Sequence, residues 1–322
     1  MKNGITHRVK AGKSEDDKRL AFVINKNQEY ERKLRPEIRS YELSFHRKHK
    51  EKILNSYLPY VLERGKAIKE GNLVAKLHKH ECEGYWKREA MNFNHPISFK
   101  TIAIDSKLKK EIIDDLDKFL NGKEFYEKTG RAWKREYLLY GPPGTGKSSL
   151  ITAMANYLNY DIYDLDLAGV DDNLDLKNLM LRMNNLSLLV VEDIDCSIEL
   201  QNREEGEENK VTLPGLLNAT DGLWSCCNEE RIIVFTTNHK ERLDPTLPRP
   251  GRMDMHIHLS YCTFSAFKQL AFNYLGISHH NLFQEIEGLL GEVRVTPAEI
   301  AEELTKKDQF QRALARICQF LA

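Results

Sequence analysis

No stretch of the chain approaches the ~18 consecutive apolar residues that cross a bilayer as a helix; the longest, residues 186–191, is interrupted by Ser187. The amino-terminal MKNGITHRVKAGK is basic but has no apolar centre, which argues against a secretory leader. Cysteine is sparse and scattered, at Cys82, Cys196, Cys226, Cys227, Cys262 and Cys318. No two form a C-x-x-C pair and none stands at zinc spacing to histidine. Neither a disulfide framework nor a zinc module is expected, and thiols kept reduced in a reducing compartment are the plain reading. Cys226 and Cys227, beside Trp224, read as bystander thiols, with a redox-sensitive pair as the alternative. There is no internal repeat. There is also no net charge, with 48 Lys and Arg against 48 Asp and Glu, so nothing draws the whole molecule toward nucleic acid.

The zero hides an asymmetry. Residues 1–100 hold 23 Lys and Arg against 13 Asp and Glu, and the remainder holds 25 against 35. With 41% hydrophobic and 30% charged residues the composition is globular, and at ~150 residues per domain the length allows about two domains. Residues 1–40 are polar with weak periodicity and are expected to form a poorly ordered basic segment. From Ser44 the pattern turns helical, with Ile53, Leu54, Tyr57, Leu58, Val61 and Leu62 at 3–4 spacing. Residues 72–104 mix alternating runs with aromatics and read as strands, and a helix is predicted over 106–120. From Tyr137 onward the chain alternates short apolar strands (137–140, 161–165, 187–192, 231–236) with helical segments. That is a doubly wound α/β pattern with a parallel sheet. Residues 199–210 form an acidic loop, and residues 264–322 are helical. Two His-x-His pairs, His78 with His80 and His256 with His258, read as alternate positions on half-exposed strands, with a metal site as the sharper alternative.

The strongest local signal is GPPGTGKS at 141–148, which fits G-x-x-x-x-G-K-[ST] between a predicted strand and a predicted helix. The glycines Gly141, Gly144 and Gly146, with Pro142, Pro143 and Thr145 between them, let the backbone curl so that successive N–H groups face phosphate oxygens. The following helix start adds its dipole. Lys147 supplies a mobile cation for the β- and γ-phosphates and Ser148 a hard oxygen ligand for Mg²⁺, and Ser149, where the helix begins, is taken with them as a nucleotide-binding residue. The second signal is the apolar run 188–191 ending in Glu192, Asp193, Ile194 and Asp195. Paired carboxylates at the carboxyl end of a parallel strand sit where such sheets bind ligands. One can complete a magnesium shell and the other polarise a water. A third is the run 231–237 ending at Asn238, which can orient a water or merely cap a turn. A fourth is LDPTLPRPGRMD at 243–254, whose Arg249 and Arg252 present guanidinium groups suited to phosphoryl oxygens or simply to solvent.

In this order and spacing the four motifs resemble the AAA family of ATPases over about 106–322. Within it the chain is most similar to the bcs-type branch, the mitochondrial Rieske-protein translocases and their plant relatives. The stretches SFH at 44–46, SYLPYVL at 56–62, HPISF at 95–99, GRAWKR at 130–135 and YDIYDL at 160–165 carry that likeness. The resemblance implies a P-loop NTPase fold with a partial subfamily-specific domain over 41–105, a large α/β ATPase domain over 106–260 and a small helical lid over 261–322. It implies that residues 141–148 are Walker A. Glu192 is assigned to the magnesium shell and Asp193 to water polarisation, in the Glu-then-Asp order of that branch. Asn238 becomes sensor 1, and Arg249 and Arg252 arginine fingers acting on a neighbouring subunit's nucleotide. Fingers in trans imply a homo-oligomeric ring. ATP and Mg²⁺ are the implied cofactors, and a protein client the implied partner.

Three departures shape the expectation. The family's membrane-spanning helix is absent, which suggests a truncated or divergent soluble form; family resemblance otherwise points to the mitochondrion or endoplasmic reticulum, facing a reducing compartment. Residues 167–172 lack the aromatic-Gly pore loop of unfoldases. Pro214 replaces a small polar residue. The leading expectation is therefore an Mg²⁺-dependent ATPase driving a ring against a protein client. The alternative is a nucleotide-gated interaction module with little turnover. A nucleic-acid remodeller is not expected, because the basic front lacks aromatic interleaving.

Overall fold

The structure, a computed structural model, describes residues 6–11, 19–28, 37–71, 74–81, 84–87, 89–195, 211, 215–216, 219–220, 230–243, 253–306 and 310–321. Arg249, Arg252, Pro214, the acidic loop 199–210, Cys82, Cys196, Cys226 and Cys227 lie outside these described residues. By their contacts the residues divide into two units, Met1–Leu73 and Val74–Ala322.

In the first unit, strands β1 (Thr6–Ala11), β2 (Arg19–Gln28) and β3 (Glu37–His46) pair as an antiparallel sheet in that order. Residues 1–40, read from sequence as poorly ordered, thus contribute two strands and the start of a third. An antiparallel ladder is made of main-chain bonds, and here it runs from Arg19 opposite His46 to Gln28 opposite Glu37 without a strong side-chain period to announce it. The helical pattern read from Ser44 accordingly starts later. A π-helical stretch over Ile53–Tyr57 leads into helix α1 (Leu58–Gly71), and Tyr57, Val61 and Leu62 of its apolar row are exposed.

The second unit opens with β4 (Lys76–Glu81) and two short strands, β5 (Tyr85–Trp86) and β6 (Met91–Asn92). Helices α2 (Ser106–Leu120) and α3 (Lys123–Thr129) follow. Then come β7 (Lys134–Tyr140), α4 (Lys147–Leu158), β8 (Asp161–Leu165), α5 (Asn173–Leu181), β9 (Ser187–Val191), β10 (Arg231–Thr237) and β11 (Met255–His258). The chain closes with α6 (Phe264–Leu275), α7 (Phe283–Glu292), α8 (Pro297–Thr305) and α9 (Phe310–Leu321). The sheet order is β11-β7-β10-β9-β8-β4, all parallel, with β5 and β6 antiparallel against β4. Because β4 pairs with β8, the division between units falls at residues 73 and 74, earlier than the 105/106 boundary read from sequence.

Strand parity explains the layers. Tyr137 and Leu139 of β7, Leu188 and Val190 of β9, and Ile232 and Val234 of β10 face one side. There they pack with Ile112 and Leu116 of α2 and Leu150 and Met154 of α4. Leu138, Leu189, Val191, Ile233 and Phe235 face the other side, against Leu176 and Leu179 of α5. Both faces are covered, which is why the strands read as continuous apolar runs. A third cluster, built on Phe267, Ile286, Ile300 and Leu314, is the core of the helical tail.

Charged residues at the start of β7 are held by partners. Arg135 makes a two-bond fork to Asp115 of α2, Nε to Oδ2 at 3.0 Å and Nη2 to Oδ1 at 2.7 Å. The wholly buried Tyr137 hydroxyl donates to the same carboxylate at 2.7 Å. Burial and Asp115 together push the Tyr137 phenol far above its ordinary range. Asp105 caps α2, accepting from the N–H groups of Lys107 and Leu108, and its other oxygen accepts from Ser265 of α6 at 3.1 Å. Partial burial raises its pKa, but those three donors outweigh burial and hold the carboxyl below its usual value.

Neither His-x-His pair gathers metal ligands. His78 stacks on Tyr163 at 4.3 Å and His258 on Tyr140 at 4.9 Å, and no group of three His, Cys, Asp or Glu able to hold a metal ion occurs among the described residues. No helix among them is long and apolar enough to cross a membrane. Cys262 and Cys318 are buried free thiols, and burial pushes Cys262 up to about 12.

Replacing Asp115 with Ala strands the Tyr137 hydroxyl and the Arg135 fork together; a loss of about 2–4 kcal/mol is expected in urea unfolding. Asp105 gives a pH signature. Its folded pKa is depressed, so its contribution is present above its unfolded value near ~3.9 and is lost as pH falls through that range. Asp105→Asn, which still caps a helix, should flatten the fall in urea midpoint between about pH 5 and pH 3.

Candidate functional site

Register brings the site together. Tyr140 of β7 lies opposite Thr237 of β10, and Phe235 of β10 lies opposite Val191 of β9. The residues that follow each strand therefore emerge side by side at one carboxyl edge: Gly141 after β7, Glu192 and Asp193 after β9, and Asn238 after β10. This is the edge where open parallel sheets bind ligands.

The loop after β7 turns at once. Gly141 has φ of 145°, and a Cβ there would lie 1.9 Å from the Leu259 carbonyl oxygen, so no side chain fits. Gly144 and Gly146 also take positive φ, and Gly146 is the residue from which α4 starts. Thr145 is buried and its hydroxyl donates to the Pro142 carbonyl at 2.8 Å, which locks the curl. Lys147 Nζ donates to the carbonyls of Gly141 and Pro142 at 2.8 and 3.0 Å and to Asn238 Oδ1 at 2.7 Å. Burial lowers the Lys147 pKa, opposed by Asp193, Asp195 and Glu192 around it.

Across the cleft, Ser148 Oγ donates to Glu192 Oε1 at 2.8 Å, and Asn238 Nδ2 donates to Asp193 Oδ1 at 3.1 Å. Asp193 sits at φ 47°, a left-handed conformation that aspartate tolerates better than most residues. Its N–H donates to Thr236 Oγ1 at 3.0 Å, which holds that turn. One residue pair deeper, the buried Asp195 accepts from the Thr237 hydroxyl at 2.7 Å, tying the end of β10 to the turn after β9.

These residues open on a cavity of about 920 Å³. Pro143, Gly144, Gly146, Lys147, Ser148 and Ser149 form one wall, and Glu192, Asp193, Thr236 and Asn238 the facing one. Gly141, Pro142 and Thr145 stand behind the wall and shape it. Arg249 and Arg252 lie outside the described residues. The residues of the remaining walls were not identified from the sequence, which assigned the tail only as a lid closing over the nucleotide. One wall is the segment around Pro96, Ile97, Ile102 and Ala103; the other comes from the tail, at Leu270, Tyr274, Pro297 and Ala301. The tail also touches the glycine loop directly, through the Ala298 N–H donating to the Gly144 carbonyl at 3.2 Å. A sequence signal for this contact existed. Thr296, Pro297 and Glu299 spell a helix start with a capping box, although nothing local says what it points at.

The cavity thus offers one cation, three hydroxyls, two carboxylates and a side-chain amide at one end and an apolar slot at the other. That combination suits a ligand with a polyanionic head and a flat apolar body.

Comparison with known proteins matches two consecutive stretches of the chain. Residues 137–261 match the family model described as ATPase family associated with various cellular activities (AAA), and residues 262–322 match the At3g28540-like, AAA+ ATPase lid domain. The chain is 53% identical over 295 residues to AAA-ATPase At3g50940 of Arabidopsis thaliana, covering 89% of this chain and 65% of that protein. It is 50% identical over 305 residues to Protein HYPER-SENSITIVITY-RELATED 4 of the same plant, covering 89% of this chain and 53% of the relative. With AAA-ATPase At2g18190, also of Arabidopsis thaliana, it shares 48% over 322 residues, covering 94% of this chain and 64% of that protein. The chain spans less than two thirds of the length of these curated relatives. By these two matches, which together run from residue 137 to 322, and by its identity to these relatives, the chain belongs to the AAA family of ATPases.

Proposed function

We propose that the chain binds ATP with Mg²⁺ and hydrolyses it to ADP and phosphate, and that the cycle moves the helical lid (residues 262–322) against the sheet domain. One observation carries this reading: Lys147, Ser148, Glu192, Asp193 and Asn238 converge, mutually hydrogen-bonded, on one cavity at the carboxyl edge of β7, β10 and β9. The base fills the apolar slot among Ile97, Ile102, Leu270 and Tyr274. The triphosphate lies along the glycine loop, where the backbone N–H groups and the start of α4 face it. Lys147 exchanges its two carbonyl partners for phosphate oxygens. A charged ammonium gains more from phosphate than from neutral carbonyls.

The donor set also fits a hard divalent cation. Ser148 Oγ and Glu192 Oε1 lie 2.8 Å apart at the phosphate end, both oxygen donors of the kind magnesium prefers. When bound, magnesium supplies neutralisation of phosphate charge. Asp193 takes the proton of the attacking water as that oxygen bonds to the γ-phosphorus and the bond to the β-bridging oxygen breaks. Asn238, bonded to both Lys147 and Asp193, holds the two in register. Arg249 and Arg252 complete the transition-state charge from a neighbouring subunit in a homo-oligomeric ring, and the ring acts on a protein client. These last assignments, and a bcs-type placement with a mitochondrial or endoplasmic-reticulum address, rest on the family resemblance; the relatives' names carry none of them.

Steady-state phosphate release tests the reading. Lys147→Ala is expected to weaken ATP binding about a hundredfold. Asp193→Asn should keep ATP binding and lower kcat by about 10²–10³. ATP binding by the wild type without phosphate release, in assembled rings as well, would make the protein a nucleotide-gated module instead. Wild-type turnover by Asp193→Asn would move the water-activating role to Glu192.

A further inference from the structure

The slot assigned to the base is walled by a segment that carries no helix or strand of its own. Residues 93–98, between β6 and α2, have no helical or strand ladder: the Phe93 N–H donates to the Ala75 carbonyl, the Ile97 N–H to the His95 ring and the Ser98 N–H to the Thr101 hydroxyl, and the Ser98 carbonyl accepts from the Thr101 and Ile102 N–H groups. Pro96 has no N–H to give. Such a segment has no ladder to fix it, yet Pro96 and Ile97 must stand at the cavity edge.

What fixes it comes from α4. The Asn156 amide donates both of its hydrogens to this strap, to the His95 carbonyl at 2.8 Å and to the Ile97 carbonyl at 2.5 Å. One planar NH₂ group thus spans two carbonyls two residues apart and holds Pro96 between them. The next residue of α4, Tyr157, sets its ring edge-on to Phe99 at 5.4 Å, and its hydroxyl donates to Asp117 of α2 at 2.5 Å. From the lid, Asn273 donates to the Thr101 carbonyl at 2.6 Å. The strap is therefore pinned from the helix that begins at the glycine loop and, further along, from the lid. Asn156 is not itself a cavity residue; it stands on the same rigid rod as Lys147 and Ser148, which fixes the distance from the phosphate end to the base wall.

We propose that Asn156 is a positioning residue for nucleobase recognition: through the His95 and Ile97 carbonyls it holds the Pro96–Ile97 wall at the spacing that a base needs when its triphosphate lies on the glycine loop. This rests on the ATP-site reading above. The role is one of ground-state binding, so it belongs to affinity for base-bearing nucleotides and not to the chemistry at phosphorus.

The test compares ATP with inorganic tripolyphosphate, which has the polyanionic head and no base, in titrations of the intact chain. Asn156→Ala and the isosteric Asn156→Asp, which cannot donate, should each weaken ATP binding about tenfold, the worth of two lost hydrogen bonds. Tripolyphosphate affinity should stay within about twofold of wild type, and KM for ATP should rise with the same factor while kcat moves far less. Equal losses for ATP and tripolyphosphate, in variants whose urea midpoints match wild type, would reduce Asn156 to general support of α4 and overturn the proposal. So would unchanged ATP affinity in Asn156→Asp. A wild-type chain that binds neither ATP nor tripolyphosphate would instead overturn the ATP-site reading beneath it.

Discussion

The pairing of β10 between β7 and β9 is the constraint on which the rest depends. With both faces buried against helices, a slip of register would displace every side chain packed there, and the packed rows run from Ile232 to Phe235 and from Leu188 to Val191. Once that register is set, the ends of three strands coincide. A glycine loop, a carboxylate pair and an asparagine from residues 141 to 238 then meet without any of them having sequence neighbours in common. The hydrogen bonds among Lys147, Asn238, Asp193, Ser148 and Glu192 follow from this coincidence.

The second element is what lies above that edge. The glycine loop is enclosed from below by the Leu259 carbonyl and touched from above by the start of α8, where Ala298 bonds Gly144. The lid therefore contacts the loop that would hold the phosphates, and also the strap through Asn273 and the start of α2 through Ser265 and Asp105. In the proposed cycle, these three contacts are the routes by which a change at the nucleotide would reach the lid. A two-state element biased at such contacts is what coupling between a site and a moving part requires.

Much of this was legible in the sequence where the signal is local. The helix over 106–120 and the strand over 161–165 stand at the residues that periodicity assigns them. The glycine loop follows from its ordered motif, and the helix after it from the apolar spacing of residues 150–158. β7 begins at Lys134 and not at Tyr137, because the charges of Lys134 and Arg135, which apolar periodicity does not count toward a buried strand, are paired with Glu136 and Asp115. β4 joined the large sheet unannounced, since its partner β8 lies more than 80 positions away in the chain. The base-side slot was invisible for the same reason, being assembled from residues 96–103, 270–274 and 297–301. The left-handed turn at Asp193 leaves no compositional trace either, because aspartate there looks like any acidic residue ending a strand.

The most direct test is the structure of the chain with a slowly hydrolysed ATP analogue and magnesium, by electron microscopy. The account predicts the triphosphate along residues 141–148, Lys147 moved from the Gly141 and Pro142 carbonyls to phosphate oxygen, the terminal phosphate facing Asp193 and Asn238, and the base against Ile97 and Leu270. An analogue seated elsewhere, or Lys147 still bonded to Gly141 and Pro142 with the nucleotide in place, would contradict it.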